Sequence, residues 1–235
     1  MAVPSVASIL QAVRTSFSAS LGNGVFGMED GTVSIFGLVF GVAASAANSR
    51  VVLLAGSTGA AAAAIAMMAG TYLDALSTRD QAQARIAAKK QAIEQNRPSE
   101  LAEVIEWLRE VGLDDKDIGS IIDVLDRRPD LLLKVKTAFE LQIAGDDQRS
   151  PLVQSLWMFF ADLLAAFIPV IPFAFFSLDT ARIVSISITA ILLLLLGVAR
   201  GIVAKSSILR GALETLGIAT AAAITGYFIG KLVTL

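Results

Sequence analysis

Five uninterrupted apolar stretches enclose a single charged insert, and that layout constrains the fold more than any other feature of the chain. The stretches cover residues 32–47, 51–76, 152–176, 183–199 and 212–233. The chain holds 19 Lys and Arg and 21 Asp and Glu, and 27 of these charges fall between Arg79 and Arg149. A segment needs about 20 mostly apolar residues to cross roughly 30 Å of hydrocarbon. Inside the bilayer every backbone polar group must also be bonded internally, which a helix achieves locally. The reading is an all-α membrane protein: five transmembrane helices with a three-helix cytoplasmic insert between the second and third. Its parts are residues 1–78 (an N-terminal segment and two spans), 79–149 (the insert) and 150–235 (three spans).

Composition removes whole classes of chemistry. There is no Cys, so disulfides, thiolate metal sites and thiol nucleophiles are excluded. There is no His, the commonest general base and transition-metal ligand. A metal site must therefore use carboxylates, Met thioethers, carbonyls or water. The net charge of −2 and the lack of a basic, aromatic-interleaved patch give no reason to expect nucleic acid as a partner. An intramembrane enzyme is disfavoured. A Ser–His site is impossible, and a carboxylate dyad of Asp30 and Asp162 would have to meet in a water-filled cavity outside any aspartyl-protease motif.

Basic residues in short loops orient the spans. The loop between the fourth and fifth spans carries Arg200, Lys205 and Arg210, and with five spans it shares a side with the insert. The opposite side carries Arg50, Arg182 and Lys231. The N-terminus, the insert and the Arg200–Arg210 loop are therefore expected in the cytoplasm. Residues 1–27 lack the basic region and long apolar run of a signal peptide. Leu10, Val13 and Phe17 fit a short interfacial helix, and a disordered tail is the alternative. Within the insert, the helix of the second span runs on to about Gln95. A helix opening at Pro98 stops at Gly112. Asp114 N-caps a short helix ending near Leu125, and Pro129 restarts the chain toward Ala144. The apolar stripes are Ala82, Ile86 and Ile93, then Leu101, Val104, Ile105 and Leu108, then Leu132, Val135 and Phe139. Asp114, Asp115 and Asp117 lack the spacing of a calcium loop and read as a helix cap.

An acid inside a span is a functional candidate because a charge at the bilayer centre costs about 2.5–3.5 kcal/mol on insertion scales. Asp30, Asp74 and Asp162 qualify. For Asp30 the competing role is a helix cap at the headgroups; for Asp74, pairing with Thr78 or Arg79; for Asp162, pairing with a neighbouring helix. Met67 and Met68 lie near the middle of the second span, where Met usually packs. Beside a carboxylate, a thioether makes a mixed site that suits Fe(II) or Mn(II) better than Ca(II) or Mg(II). Gly37, Gly41 and the alanines at 60–64 permit close helix approach and self-association. Pro169 and Pro172 break the third span, freeing carbonyls that must face protein or a water-filled path.

These residues resemble the vacuolar iron transporter family of plants and fungi and its prokaryotic relatives. The matching pieces are Asp30-Gly31, then Ser34-Ile35-Phe36-Gly37-Leu38-Val39-Phe40-Gly41-Val42, then Ala66-Met67-Met68-Ala69-Gly70-Thr71-Tyr72-Leu73 with residues 77–80. Pro169-Val170-Ile171-Pro172 and Gly226-Tyr227-Phe228-Ile229-Gly230 complete the series, in order, over about residues 28–234. The resemblance implies a homodimer with a metal path between protomers, lined by Asp30 and Met67. It implies that Fe(II) or Mn(II) is the transported substrate, exchanged for protons, with no tightly bound cofactor. It also implies a metal cluster in the insert, onto which Glu100, Glu103 and Glu140 carry over.

The chain departs from that pattern at several positions. Thr71 stands where the family usually has Glu, and Gly59 where some members have a further one. In the insert, a Glu pair becomes Lys89 and Ala92, and a Met pair becomes Lys136 and Thr137. Ammonium groups at these positions oppose a cation cluster. The expected partners are a lipid bilayer, divalent metal ions, protons and a second copy of the chain. The alternative is a divergent relative that moves another solute or serves as a membrane scaffold.

Overall fold

A computed structural model describes residues 21–139, 150–203, 205 and 207–233. Among them the chain is helical, with no strand: α1 (Leu21–Ala43), α2 (Ser49–Glu110), α3 (Asp115–Arg127), α4 (Pro129–Phe139), α5 (Pro151–Phe167), α6 (Pro172–Phe175), α7 (Leu178–Val203) and α8 (Ile208–Val233). It divides into two compact units, one of residues up to Leu73 plus those from Pro151 onward, the other Asp74–Ser150. The proposed interfacial helix around Leu10, Val13 and Phe17, and residues 140–144 of the last insert helix, lie outside the described residues.

Four helices, α1, α2, α7 and α8, are long and apolar enough to cross a membrane. The third expected span is divided. The 17 residues of α5 extend only about 26 Å at 1.5 Å per residue. Pro169 and Pro172 then force a turn before the four-residue α6. The carbonyl freed at Pro169 accepts a hydrogen bond from Ser185 Oγ of α7 at 2.7 Å. Protein thus satisfies one carbonyl that the break exposes, as the bilayer requires. Outward faces are apolar: Leu164, Ile183, Leu195 and Phe228 are all exposed.

Helix α1 begins at Leu21 and ends at Ala43, offset from the apolar stretch at 32–47. Asp30 therefore lies in the helix interior, so it is not an N-terminal cap. At the other end, the Arg182 guanidinium donates to the Ala43 carbonyl, satisfying an orphan C-terminal acceptor. Asn48 Oδ1 accepts from the Arg50 and Val51 amides at 3.1 and 3.3 Å, opening α2 as an N-cap does.

Helix α1 is the hub, packed against α5, α7 and α8. Its apolar core joins Ile35 and Val39 to Val52 and Ala60 of α2, and to Ala166 and Val170. The α1–α8 crossing is made by glycines at four-residue spacing on both helices, Gly37 and Gly41 against Gly226 and Gly230. A Cβ at Gly41 would sit 2.8 Å from the Gly226 carbonyl oxygen, and one at Gly226 would collide with the Gly37 carbonyl. The small residues expected for close approach are thus used within the protomer, where van der Waals packing replaces the missing hydrophobic drive.

In the second unit, α2 is kinked at Asn96 (φ −147°, ψ 67°), and Asn96 Oδ1 accepts from the Ser99 amide at 3.4 Å. The helix restarts in this way just before Pro98. Gly112 leaves the helix with φ +95°, the left-handed conformation glycine adopts without strain. Asp114 caps α3, accepting from the Asp117 amide at 2.9 Å. The core joins Ile93, Leu101, Val104, Leu125 and Leu132, whereas Phe139 is exposed.

Overpacking a close helix crossing costs about 1–3 kcal/mol. Gly226→Leu is therefore expected to lower the thermal melting temperature of the detergent-solubilised protein, and an unchanged melting curve would contradict the α1–α8 crossing.

Candidate functional site

Two adjacent acids on α1 have opposite electrostatic surroundings. Glu29 is 8% exposed and compensated: Thr215 Oγ1 donates to its Oε1 at 2.9 Å, and Arg200 Nη1 lies 3.5 Å from its Oε2. Arg200 also pairs with Glu214 at 3.1 Å, which in turn pairs with Arg210 at 2.8 Å. This network ties α1 to α7 and α8. The sequence reading missed Glu29 as a buried group. The only signal was a second acid beside Asp30, and its partner is 171 positions away in the chain.

Asp30 is half-buried and, among the described residues, makes no hydrogen bond or ion pair. The next residue is Gly31, whose missing side chain lets α5 approach. A Cβ there would lie 2.7 Å from Asp162 Oδ1, and one at Gly27 would lie 2.5 Å from Met158 Sδ. Glycines one turn apart on α1 therefore face Met158 and Asp162, one turn apart on α5. Asp162 is 0% exposed, within electrostatic reach of Asp30, and no described protein group bonds to either carboxylate oxygen. The neighbouring-helix partner weighed for Asp162 is absent among the described residues. Asp74 is exposed and has no partner among them either.

Met67 and Met68 are half-buried on α2. The level of Met67 follows from the α1–α2 contact, where a Cβ at Gly59 would lie 3.0 Å from Leu38 Cδ1. Asp30 precedes Leu38 by eight residues, and Met67 follows Gly59 by eight. The helices run antiparallel, so both groups sit about 12 Å from that contact in the same direction.

In the insert unit, Glu100 and Glu103 come together around Lys136. The Lys136 ammonium bonds Glu100 Oε2 and lies 2.6 Å from Glu103 Oε2, 3.4 Å from the Glu100 carbonyl and 5.4 Å from the centre of the Trp107 ring. Lys89 Nζ is 3.4 Å from the same Glu100 oxygen. Glu140 lies outside the described residues. No group of three acids that could hold a metal occurs among the described residues.

Burial alone pushes the Glu100 carboxyl up. The hydrogen bond and charge of Lys136, followed by those of Lys89, outweigh it and hold the group below its ordinary range. Folding therefore lowers this pKa. Its stabilisation is complete above the unfolded value of about 4.3 and is lost as pH falls through the folded value. Thermal melting from about pH 7 to about pH 3 should show that acid loss. Glu100→Gln should cost on the order of 3 kcal/mol at neutral pH by breaking a buried pair and should flatten the acid limb. Unchanged melting and an unchanged acid limb in this variant would remove the cluster from the account of stability.

The VIT family model matches residues 21–231. Vacuolar iron transporter 1 of Arabidopsis thaliana is 30% identical over 211 residues, covering 89% of this chain and 84% of its own. Vacuolar iron transporter 1 of Eucalyptus grandis is 29% identical over 210 residues, covering 89% and 84%. Vacuolar iron transporter 2 of Oryza sativa subsp. japonica is 27% identical, covering 89% and 85%. Glycine-lined helix packing and an acid without a countercharge among the described residues thus sit on a sequence matched nearly from end to end, and the chain belongs to the VIT family.

Proposed function

We propose that this protein moves Fe(II) or Mn(II) out of the cytosol through the membrane, in exchange for protons. The observation that carries the reading is the contrast on α1. Glu29 has its cation, whereas Asp30 and Asp162 have none among the described residues. Two such carboxylates in an apolar bundle repel each other and are costly when charged. A divalent cation relieves both terms, and protons relieve them when the metal leaves. Alternation between metal and proton is then a property of the site.

Met67, as far along α2 from the Gly59–Leu38 contact as Asp30 is along α1, supplies a soft donor that favours iron or manganese over magnesium or calcium. Two copies of the chain would pair Asp30 and Met67 across a symmetry axis, giving four donors on a path between protomers. The exposed apolar residues Leu54, Ile65 and Leu73 of α2 offer surface for such a seam. The arrangement we favour has five spans, α5 and α6 together making the third. Positive charge in the short loops places the N-terminus, insert and Arg200–Arg210 loop in the cytoplasm.

A second reading, a divergent relative moving another solute or acting as a scaffold, draws support from the Lys136 ammonium between the insert acids. Flux separates the two. Purified protein in liposomes with an imposed pH gradient should take up Fe(II) or Mn(II), with little movement of Zn(II) and none without the gradient. Asp30→Asn should reduce uptake at least tenfold, and Met67→Ala several-fold. Undiminished uptake by the double variant would sink the assigned path, and absence of any metal flux from folded wild type would favour the second reading.

A further inference from the structure

The acid pair of the insert is already occupied by a cation belonging to the chain. Lys136 is 0% exposed, among the costliest positions for an ammonium group unless it is paired. It is paired here with Glu100 and Glu103, bonded to a backbone carbonyl and lies over the Trp107 ring, a face that attracts cations. These are oxygen donors and a π face directed at one positive centre. Carboxylates one turn apart on a helix, closed by a neighbouring element, are also how a chain surrounds a divalent ion.

We propose that Lys136 is a built-in cation: its ammonium fills the Glu100–Glu103 pocket, so the insert closes on its own charge and takes no divalent metal there. Three observations carry this. First, among the described residues Lys89 joins Lys136 at Glu100, so two carboxylates there meet two ammonium groups rather than forming an open anionic pocket. Second, the same Glu100 oxygen serves both lysines, so a metal could take it only by displacing them. Third, displacement would drive a side chain that has no solvent exposure off the two acids that hold it, and a few oxygen contacts would have to offset that loss. The insert is then assembled whatever the metal supply. The inference stands apart from which ion the membrane unit carries.

The position can be reopened. Lys136→Met introduces an unbranched side chain one atom shorter; it removes the charge and leaves two acids facing a neutral thioether. Mn(II) binding to the full-length protein in nanodiscs, followed by electron paramagnetic resonance, tests the idea. Wild type and Glu103→Gln should bind Mn(II) identically. Lys136→Met should gain one site per chain, at least tenfold tighter than any wild-type binding at Glu103, and Lys136→Met/Glu103→Gln should lose it. Wild-type binding that falls in Glu103→Gln would overturn the proposal, as would a folded Lys136→Met protein with no added site. The wild-type comparison needs only the half-exposed Glu103 to be altered, so it decides the matter even if Lys136→Met does not fold. An Mn(II)-induced rise in wild-type melting temperature that Glu103→Gln abolishes would equally overturn it.

Discussion

A carboxylate inside an apolar bundle must find a counter-ion, and much of this molecule follows from which acids do. Glu29 finds Arg200 and Thr215, and the resulting contacts tie α1 to α7 and α8. Asp30, one residue on, faces elsewhere. Helical geometry turns it about 100° from Glu29, and it lies within electrostatic reach of the buried Asp162. One short segment therefore contains both a structural ion pair and an acid with no countercharge among the described residues.

The insert follows the same rule with a different outcome. Glu100 and Glu103 recruit Lys136, and apolar residues from Ile93 to Leu132 pack around the cluster. Internal ammonium groups satisfy these acids and stabilise the fold. In the membrane unit, Asp30 and Asp162 have no such partner among the described residues. Paired carboxylates thus act in architecture, and these two acids carry the proposed transport.

Much of the fold was legible because its signals are local. Apolar length announced α1, α2, α7 and α8; Asp114, with its cap geometry, announced α3; Pro169 and Pro172 announced the break after α5. Positions set by tertiary packing were not legible. The early start of α1 escaped notice because Gly22, Gly24 and Gly27 dilute its hydropathy, while Gly27 is there to admit Met158. The Glu29–Arg200 pair joins residues from opposite ends of the chain, beyond any periodicity. Family resemblance pointed to Asp30 and Met67, and the α1–α2 contact at Leu38 and Gly59 lies eight residues from each. Asp162 was visible as an intramembrane acid, whereas its lack of a partner among the described residues required coordinates. Lys136 read as a departure from a metal cluster; its burial between the acids shows where that charge goes.

The account rests on the distinction between compensated and uncompensated acids in the membrane unit. Metal uptake by two reconstituted variants tests it directly, Glu29→Gln/Arg200→Gln removing the paired charges together and Asp30→Asn/Asp162→Asn removing the unpaired ones. Uptake should survive in the first, within a few-fold of wild type for the protein that folds, and disappear in the second. Loss in the first with retention in the second would contradict the account.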